Sequence, residues 1–274
     1  MNTQFTEVDG HHIAYHRKGH GAPVLLVHGV ASHSFLWDGI AELLAEKFDV
    51  IAIDLLGCGE SDKPLDVDYS IAAQAEILMK FIDKLKLAPL HLVGHDLGGG
   101  IVQIMAVTRP EQLIDLTLIN PVGYDYWPVQ PITLMRLPVI RSLTASIMNP
   151  HMLRMVIRRA LFYKERLTDD LMGKFWEPLQ SQAGRDGFVR LIKAINNRLL
   201  TDITGQLRQL KLSSLVIRGD ADAYLSREIT EKLAEDIPNA RLAHITTGGH
   251  FIQLDEPEQL FKLLSDFFLE EKEL

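Results

Sequence analysis

Short apolar runs that stop at glycine recur through this chain, and stretches of helical period lie between them. "PVLLVHG" (23–29) and "DVIAIDLLG" (49–57) are rich in aliphatic and β-branched residues, the pattern of strands buried on both faces of a parallel sheet. "LHLVG" (90–94), "LIDLTLINP" (113–121), "LSSLVIRGD" (212–220) and "ARLAHITTGGH" (240–250) repeat it. "LWDGIAELLAEKF" (36–48), "SIAAQAEILMKFIDKL" (70–85), "GGGIVQIMAVTRP" (98–110), "SREITEKLAEDI" (226–237) and "PEQLFKLLSDFFLEE" (257–271) are spaced as helices. Parallel strands need a crossover connection, and a helix usually supplies it. The alternation therefore predicts an α/β fold, with a mostly parallel central sheet covered by helices. At 274 residues and 47% hydrophobic, the chain can bury one large core.

Residues 122–200 break the rhythm. Pro128, Pro131, Pro138, Pro150 and Pro178 fall here, no strand pattern is clear, and "HMLRMVIRRALF" (151–162) has helical spacing. The segment holds 12 Lys and Arg against 6 Asp and Glu, whereas the remainder holds 16 against 30. We expect a helical insertion over 122–200 that divides the core into 1–121 and 201–274, with Met135, Met148, Met152, Met155 and Met172 as adaptable packing.

The net charge of -8 argues against nucleic-acid or anionic-membrane partners. One cysteine, Cys58, excludes an intramolecular disulfide and any thiolate cluster. Neither a signal-peptide pattern nor an apolar run of about 18 residues is present, so the expectation is a soluble, cytoplasmic monomer or homodimer. "GHDLGGG" lacks the following Lys-Ser/Thr of a phosphate loop and the spacing of a dinucleotide site, and no metal-ligand spacing appears, so no cofactor is expected.

"GHDLG" (94–98) places Asp96 between glycines, after an apolar run and before a helical one. Gly-x-nucleophile-x-Gly in that context is the nucleophile elbow, a turn too sharp for a Cβ at its flanks. The helix that follows directs free N–H groups at the site, which favours negative charge. "IRGDAD" (217–222) puts acids after a late strand, and "TTGGHF" (246–251) puts His250 after the last one. Nucleophile, acid, histidine is the chain order of one hydrolase architecture.

These marks, with "HG" at 28–29 and "DLLGCGESDKP" at 54–64, make the chain resemble an α/β-hydrolase with a helical cap over essentially its whole length. The resemblance implies Asp96 as nucleophile, His250 as base and Asp222, rather than Asp220, as the acid that orients it. It implies the backbone N–H groups of Val30 and Leu97 as oxyanion donors. His28 and Asp54 are expected to shape loops, and His95, His244 and His11–His12 to have no chemical role.

A serine at the elbow attacks acyl carbon, whereas a carboxylate displaces a group from saturated carbon and becomes an alkyl ester. In this the chain is similar to epoxide hydrolases and haloalkane dehalogenases. Dehalogenases usually have Trp after the nucleophile and often Asn after His-Gly. Here Leu97 and Val30 stand in those places. Epoxide hydrolases commonly have Pro where Ala31 stands, and use cap tyrosines as acids. Tyr124, Tyr126 and Tyr163 are the cap tyrosines available, Tyr124 and Tyr126 being placed to reach over Asp96. Trp127 and Trp176 could instead give indole N–H donors to a halide, and Trp127 and Trp37 are further residues expected around a small apolar substrate. Epoxide opening ranks slightly ahead of dehalogenation. Ester, lactone or carbon–carbon hydrolysis, and a ligand-binding protein without turnover, are the alternatives.

Overall fold

The computed structural model describes residues 3–125 and 149–270. Among them eight strands form one sheet: β1 (Thr3–Val8), β2 (His11–Gly19), β3 (Ala22–Val27), β4 (Phe48–Ile53), β5 (Leu90–Asp96), β6 (Leu113–Pro121), β7 (Ser214–Gly219) and β8 (Ala240–Ile245). Their order is β1-β2-β4-β3-β5-β6-β7-β8. β1 and β2 pair antiparallel with each other, as do β2 and β4, and every other pairing is parallel.

Six of these strands lie within the six apolar runs of the sequence or overlap them closely. Every residue of β4 and β5 is buried. The reason is visible in the two cores. Leu25, Leu92, Leu118 and Val216 enter one, while Leu26, Val93, Ile119 and Ile217 enter the other. Alternate side chains leave a strand on opposite faces, so a sheet covered on both sides needs apolar residues at every position.

Helices α1 (Asp38–Leu44), α2 (Ile71–Leu85) and α3 (Leu97–Thr108) connect the first strands. Between β6 and β7, the described residues form α4 (Pro150–Ala160), α5 (Asp169–Trp176), α6 (Gln182–Lys193) and the single turns α7 (Arg198–Thr201) and α8 (Thr204–Leu207). The chain closes with α9 (Arg227–Asp236), α10 (Ile252–Asp255) and α11 (Pro257–Glu270). Local chemistry starts several of them. Asn149 accepts from the His151 and Met152 N–H groups ahead of Pro150, Thr168 accepts from Leu171, and Ser181 accepts from Gly184. Among the described residues no helix is long and apolar enough to cross a membrane.

The hairpin β1–β2 was not anticipated from the apolar runs. Its first strand is an edge with mostly half-buried or exposed positions, so it lacks a continuous apolar signal. The turn carried a clear one: Asp9 and Gly10 both have positive φ, 51° and 80°, as an Asp-Gly hairpin turn requires.

Candidate active site

The strand order reverses around β3 and β5, and chains leaving the carboxyl ends of neighbouring parallel strands diverge there to leave a crevice. Val30 follows β3, Asp96 ends β5, Asn120 lies at the end of β6, and Asp222 and His250 follow β7 and β8. Residues more than a hundred positions apart thus meet at one end of the sheet.

Asp96 has φ 51° and ψ −118°, and α3 begins at the next residue. Such a backbone costs a non-glycine residue about 1–3 kcal/mol and persists only where packing enforces it. Packing does so here: a Cβ on Gly98 would lie 2.4 Å from the carbonyl oxygens of Val27 and His28. The Val30 N–H donates to Asp96 Oδ2 at 2.7 Å, and the carboxylate also accepts from the Leu97 N–H. Gly29 makes the approach possible, since a Cβ there would sit 2.3 Å from Oδ2. Burial pushes the Asp96 carboxyl up. The His250 charge and the two N–H groups oppose this without cancelling it.

His28 shapes this loop. The Leu55 N–H donates to its Nε2 at 3.0 Å, so Nδ1 carries the proton and donates to the Gly29 carbonyl at 2.8 Å. Burial drives its pKa down to about 4, which keeps the ring neutral. Asp54 organises the adjoining loop by accepting from the Ser34 and Glu60 N–H groups at 2.8 and 2.7 Å.

His250 Nδ1 lies 3.0 Å from Asp222 Oδ2. The other oxygen of Asp222 accepts from the Tyr224 and Leu225 N–H groups at 2.8 and 3.2 Å, which fixes the carboxylate. Asp220 points elsewhere and pairs with His244 at 2.7 Å. Burial acts to raise the Asp222 pKa, but His250, the backbone donors and Arg218 outweigh it and hold the group below the usual carboxylate range. Burial likewise acts to lower the His250 pKa. Asp222 and then Asp96 reverse that, so the imidazole is raised.

Two neighbours hold the histidine in place. His95 donates from Nε2 to the His250 carbonyl at 2.8 Å, with its pKa driven down to about 3 by burial and by His250. Asn120, which sequence reasoning missed, donates from Nδ2 to the carbonyls of Gly249 and His250 at 2.9 and 3.1 Å and accepts from the Gly219 N–H at 2.9 Å. This one amide joins the ends of β6 and β7 to the histidine loop. Its only sequence signal is a polar residue ending a buried strand beside Pro121.

Two of the expected substrate contacts have other partners among the described residues. Tyr124 donates its hydroxyl to Asp236 Oδ2 at 2.9 Å, and Lys232 lies over its ring, so the phenol is engaged with α9. Trp37 is wholly buried, with its ring edge-on to His95, so it borders no solvent-filled space. Tyr126 and Trp127 lie outside the described residues. A cleft does open beside the Val30 loop, lined by Ala31, Ser32 and His33 on one side and Phe175, Leu179 and Phe188 on the other. Among the described residues no group of three or more His, Cys, Asp or Glu side chains could hold a metal ion.

Comparison with known proteins agrees with this architecture. The chain is 28% identical to 2-hydroxymuconate semialdehyde hydrolase of Pseudomonas putida over 269 residues, covering 95% of this chain and 92% of the relative. The crystal structure of an alpha/beta hydrolase fold protein from Burkholderia ambifaria superposes with a TM-score of 0.88 at 27% identity, over 96% of this chain and 97% of the other. A putative ancestral haloalkane dehalogenase superposes with a TM-score of 0.85 at 23% identity, over 99% and 100% of the two chains. The model of the alpha/beta hydrolase fold family matches residues 22–257, and the chain belongs to that family.

Proposed function

We propose that this protein is a two-step hydrolase of small apolar substrates, in which Asp96 displaces a leaving group from saturated carbon and His250 directs water at the resulting alkyl ester. The supporting observation is the seat of Asp96 Oδ2, 2.7 Å from the Val30 nitrogen. With a serine nucleophile, backbone donors at this place would receive the carbonyl oxygen of the substrate. Here the nucleophile's own oxygen takes that place, which disfavours acyl chemistry. The other oxygen attacks, forming a carbon–oxygen bond as the bond to the leaving group breaks.

The ester so formed keeps its carbonyl oxygen on the Val30 and Leu97 donors. His250 takes a proton from water, the hydroxide adds to the Asp96 carbonyl carbon, and charge develops on an oxygen that already faces its donors. Collapse expels the alcohol oxygen, which takes the proton from His250 and leaves Asp96 as the carboxylic acid. That second proton of the water is then released, through the neutral His250 to solvent or to the group that protonated the leaving oxygen, and the Asp96 carboxylate is restored. Asp222 keeps the imidazole in the tautomer that presents Nε2 to water. Residues 122–200 act as a cap that excludes bulk water.

Epoxide opening ranks slightly ahead of halide loss, because Val30 and Leu97 offer aliphatic side chains where dehalogenases of the family have halide donors. The Tyr124 hydroxyl donates to Asp236, which speaks against its serving as the acid that protonates the opened oxygen. His250→Gln tests the scheme: incubation with 1,2-epoxyhexane or 1-bromohexane should add the alkyl mass to the peptide containing Asp96. Full turnover by Asp96→Asn, or wild-type turnover of simple esters alone, would overturn it.

A further inference from the structure

We propose that Asp255 is a positioning residue that ties His250 to the helical cap, so that the hydrolytic half of the reaction depends on a seated cap. Asp255 lies in α10 and is fully buried. Its Oδ2 accepts from the N–H groups of Gly249 and Phe162, both at 2.9 Å, and its Oδ1 accepts from the Tyr163 N–H at 3.0 Å. One donor adjoins the histidine, and two belong to the segment that follows α4. Among the described residues the carboxylate forms no salt bridge, so backbone donors alone compensate its charge.

The His250 N–H makes the same junction directly, donating to the Ala160 carbonyl at 2.7 Å. Gly249 permits so close a contact, since a Cβ there would lie 2.4 Å from the Ala160 oxygen. The histidine loop is therefore held from two sides, by Asn120 and His95 through the His250 carbonyl, and by Ala160 of the cap through the His250 N–H, with Asp255 of α10 bridging the Gly249 N–H to the cap residues Phe162 and Tyr163. A carboxylate is the side chain suited to the second task. Its two oxygens accept three N–H groups from two separate segments, whereas an amide of the same shape offers only one oxygen.

The consequence for catalysis rests on the two-step scheme above. The first step needs only the Asp96 carboxylate, while the second needs the His250 ring aimed at water and ester. Loosening the junction should therefore slow the second step selectively. Asp255→Asn removes one acceptor oxygen at nearly constant volume. Phe162→Pro removes one cap donor and sets a ring carbon where the N–H faces Asp255 Oδ2, so it loosens the same junction from the cap side while leaving the Asp255 side chain itself unaltered. Leu161 is already extended, at φ −86° and ψ 146°, as the residue before proline should be, and Phe162 is 41% exposed.

The test is rapid-quench mass spectrometry of the full-length variants with 1,2-epoxyhexane and 1-bromohexane. In each variant, ester formation at Asp96 should stay within about threefold of wild type while hydrolysis slows roughly ten- to hundredfold, the scale on which small misplacements of a reacting group act. Equal slowing of both steps, or a reduced active fraction with normal rates, would make Asp255 a merely structural residue and overturn the proposal. If no ester forms even in His250→Gln, the two-step scheme fails, and the junction is judged by the low-field proton resonance of His250 Nδ1–H. That signal should broaden or vanish in both variants, and its persistence unchanged in both would overturn the positioning role.

Discussion

The Val30 N–H and the Asp96 carboxylate, 66 residues apart, meet across 2.7 Å, and a buried anion thereby gains a donor that no side chain supplies. The donor does not fully offset burial, since the Asp96 pKa is raised. A carboxyl whose folded pKa exceeds its unfolded value destabilises the fold at pH above the folded pKa, because the native state resists ionisation. Asp96→Asn keeps an acceptor oxygen and discards the charge. It should abolish turnover and raise the thermal midpoint at pH 7 by roughly 2–4 °C per kcal/mol of relief. The gain should shrink toward pH ~3.9, where the unfolded carboxyl also protonates. A lower midpoint at pH 7 would count against a charge penalty at this site.

The pH dependence of ester hydrolysis follows from His250. Its raised pKa means that the neutral base is lost below a pH higher than the ~6.5 of a free imidazole. Esterification removes the Asp96 charge, one of the groups that raise the His250 pKa, so the single-turnover hydrolysis rate should rise with pH through a midpoint below that of the free enzyme. A midpoint above the free-enzyme value, read by titrating the His250 ring resonances, would contradict the influence of Asp96. The same pair stabilises the fold. The Asp222 contribution is present above the unfolded carboxyl pKa and lost as pH falls through its lowered folded value, while the His250 contribution is complete below ~6.5 and lost as pH rises through its raised value. Asp222→Asn should therefore destabilise most between pH ~3.9 and ~6.5, as read by denaturant midpoints across that range.

Asn120→Ala should lower stability by about 1–3 kcal/mol, because the buried Gly219 N–H loses its acceptor and the Gly249 and His250 carbonyls lose a donor. Urea titration gives the loss directly. Hydrolysis of the ester should slow together with it, and a folded variant with wild-type hydrolysis would show that the histidine loop does not need this anchor.

Tyr124→Phe should leave turnover intact and cost about 0.5–1.5 kcal/mol, the worth of its hydrogen bond to Asp236. Steady-state kinetics beside a thermal melt separates the two effects. A fall in kcat without any fall in stability would place the phenol against substrate.

Much of this was legible in the sequence because it is local. A parallel strand buried on both faces must be apolar at every position, so β3 to β7 show themselves, and the elbow glycines at 94 and 98 sit within a few residues of the side chain they expose. Asn120 and Asp255 were illegible for the opposite reason. Their bonds reach residues 129 and 93 positions away, and nothing in "INPVG" or "QLDEP" reports such partners. The contacts of Tyr124 were not legible either, because its place after β6 fits either an overhang above Asp96 or a turn toward α9. Only packing distinguishes them, through its φ of 52° and the Asp236 carboxylate.

The donors to the Asp96 carboxylate are peptide groups, which gives this site an uneven tolerance to genetic change. No codon replacement at 30 or 97, short of proline, can delete an N–H, so the electrostatic cradle survives while side chains there vary. The fragility is displaced onto Gly29 and Gly98, where even alanine collides with the carboxylate or with the Val27 and His28 carbonyls. A saturation-mutagenesis map of the two loops should show permissive columns flanked by forbidden ones. On the displacement scheme proposed above, leaving-group preference should then drift by single substitutions at 30 and 97, in nature or in directed evolution, without the lineage passing through an inactive ancestor.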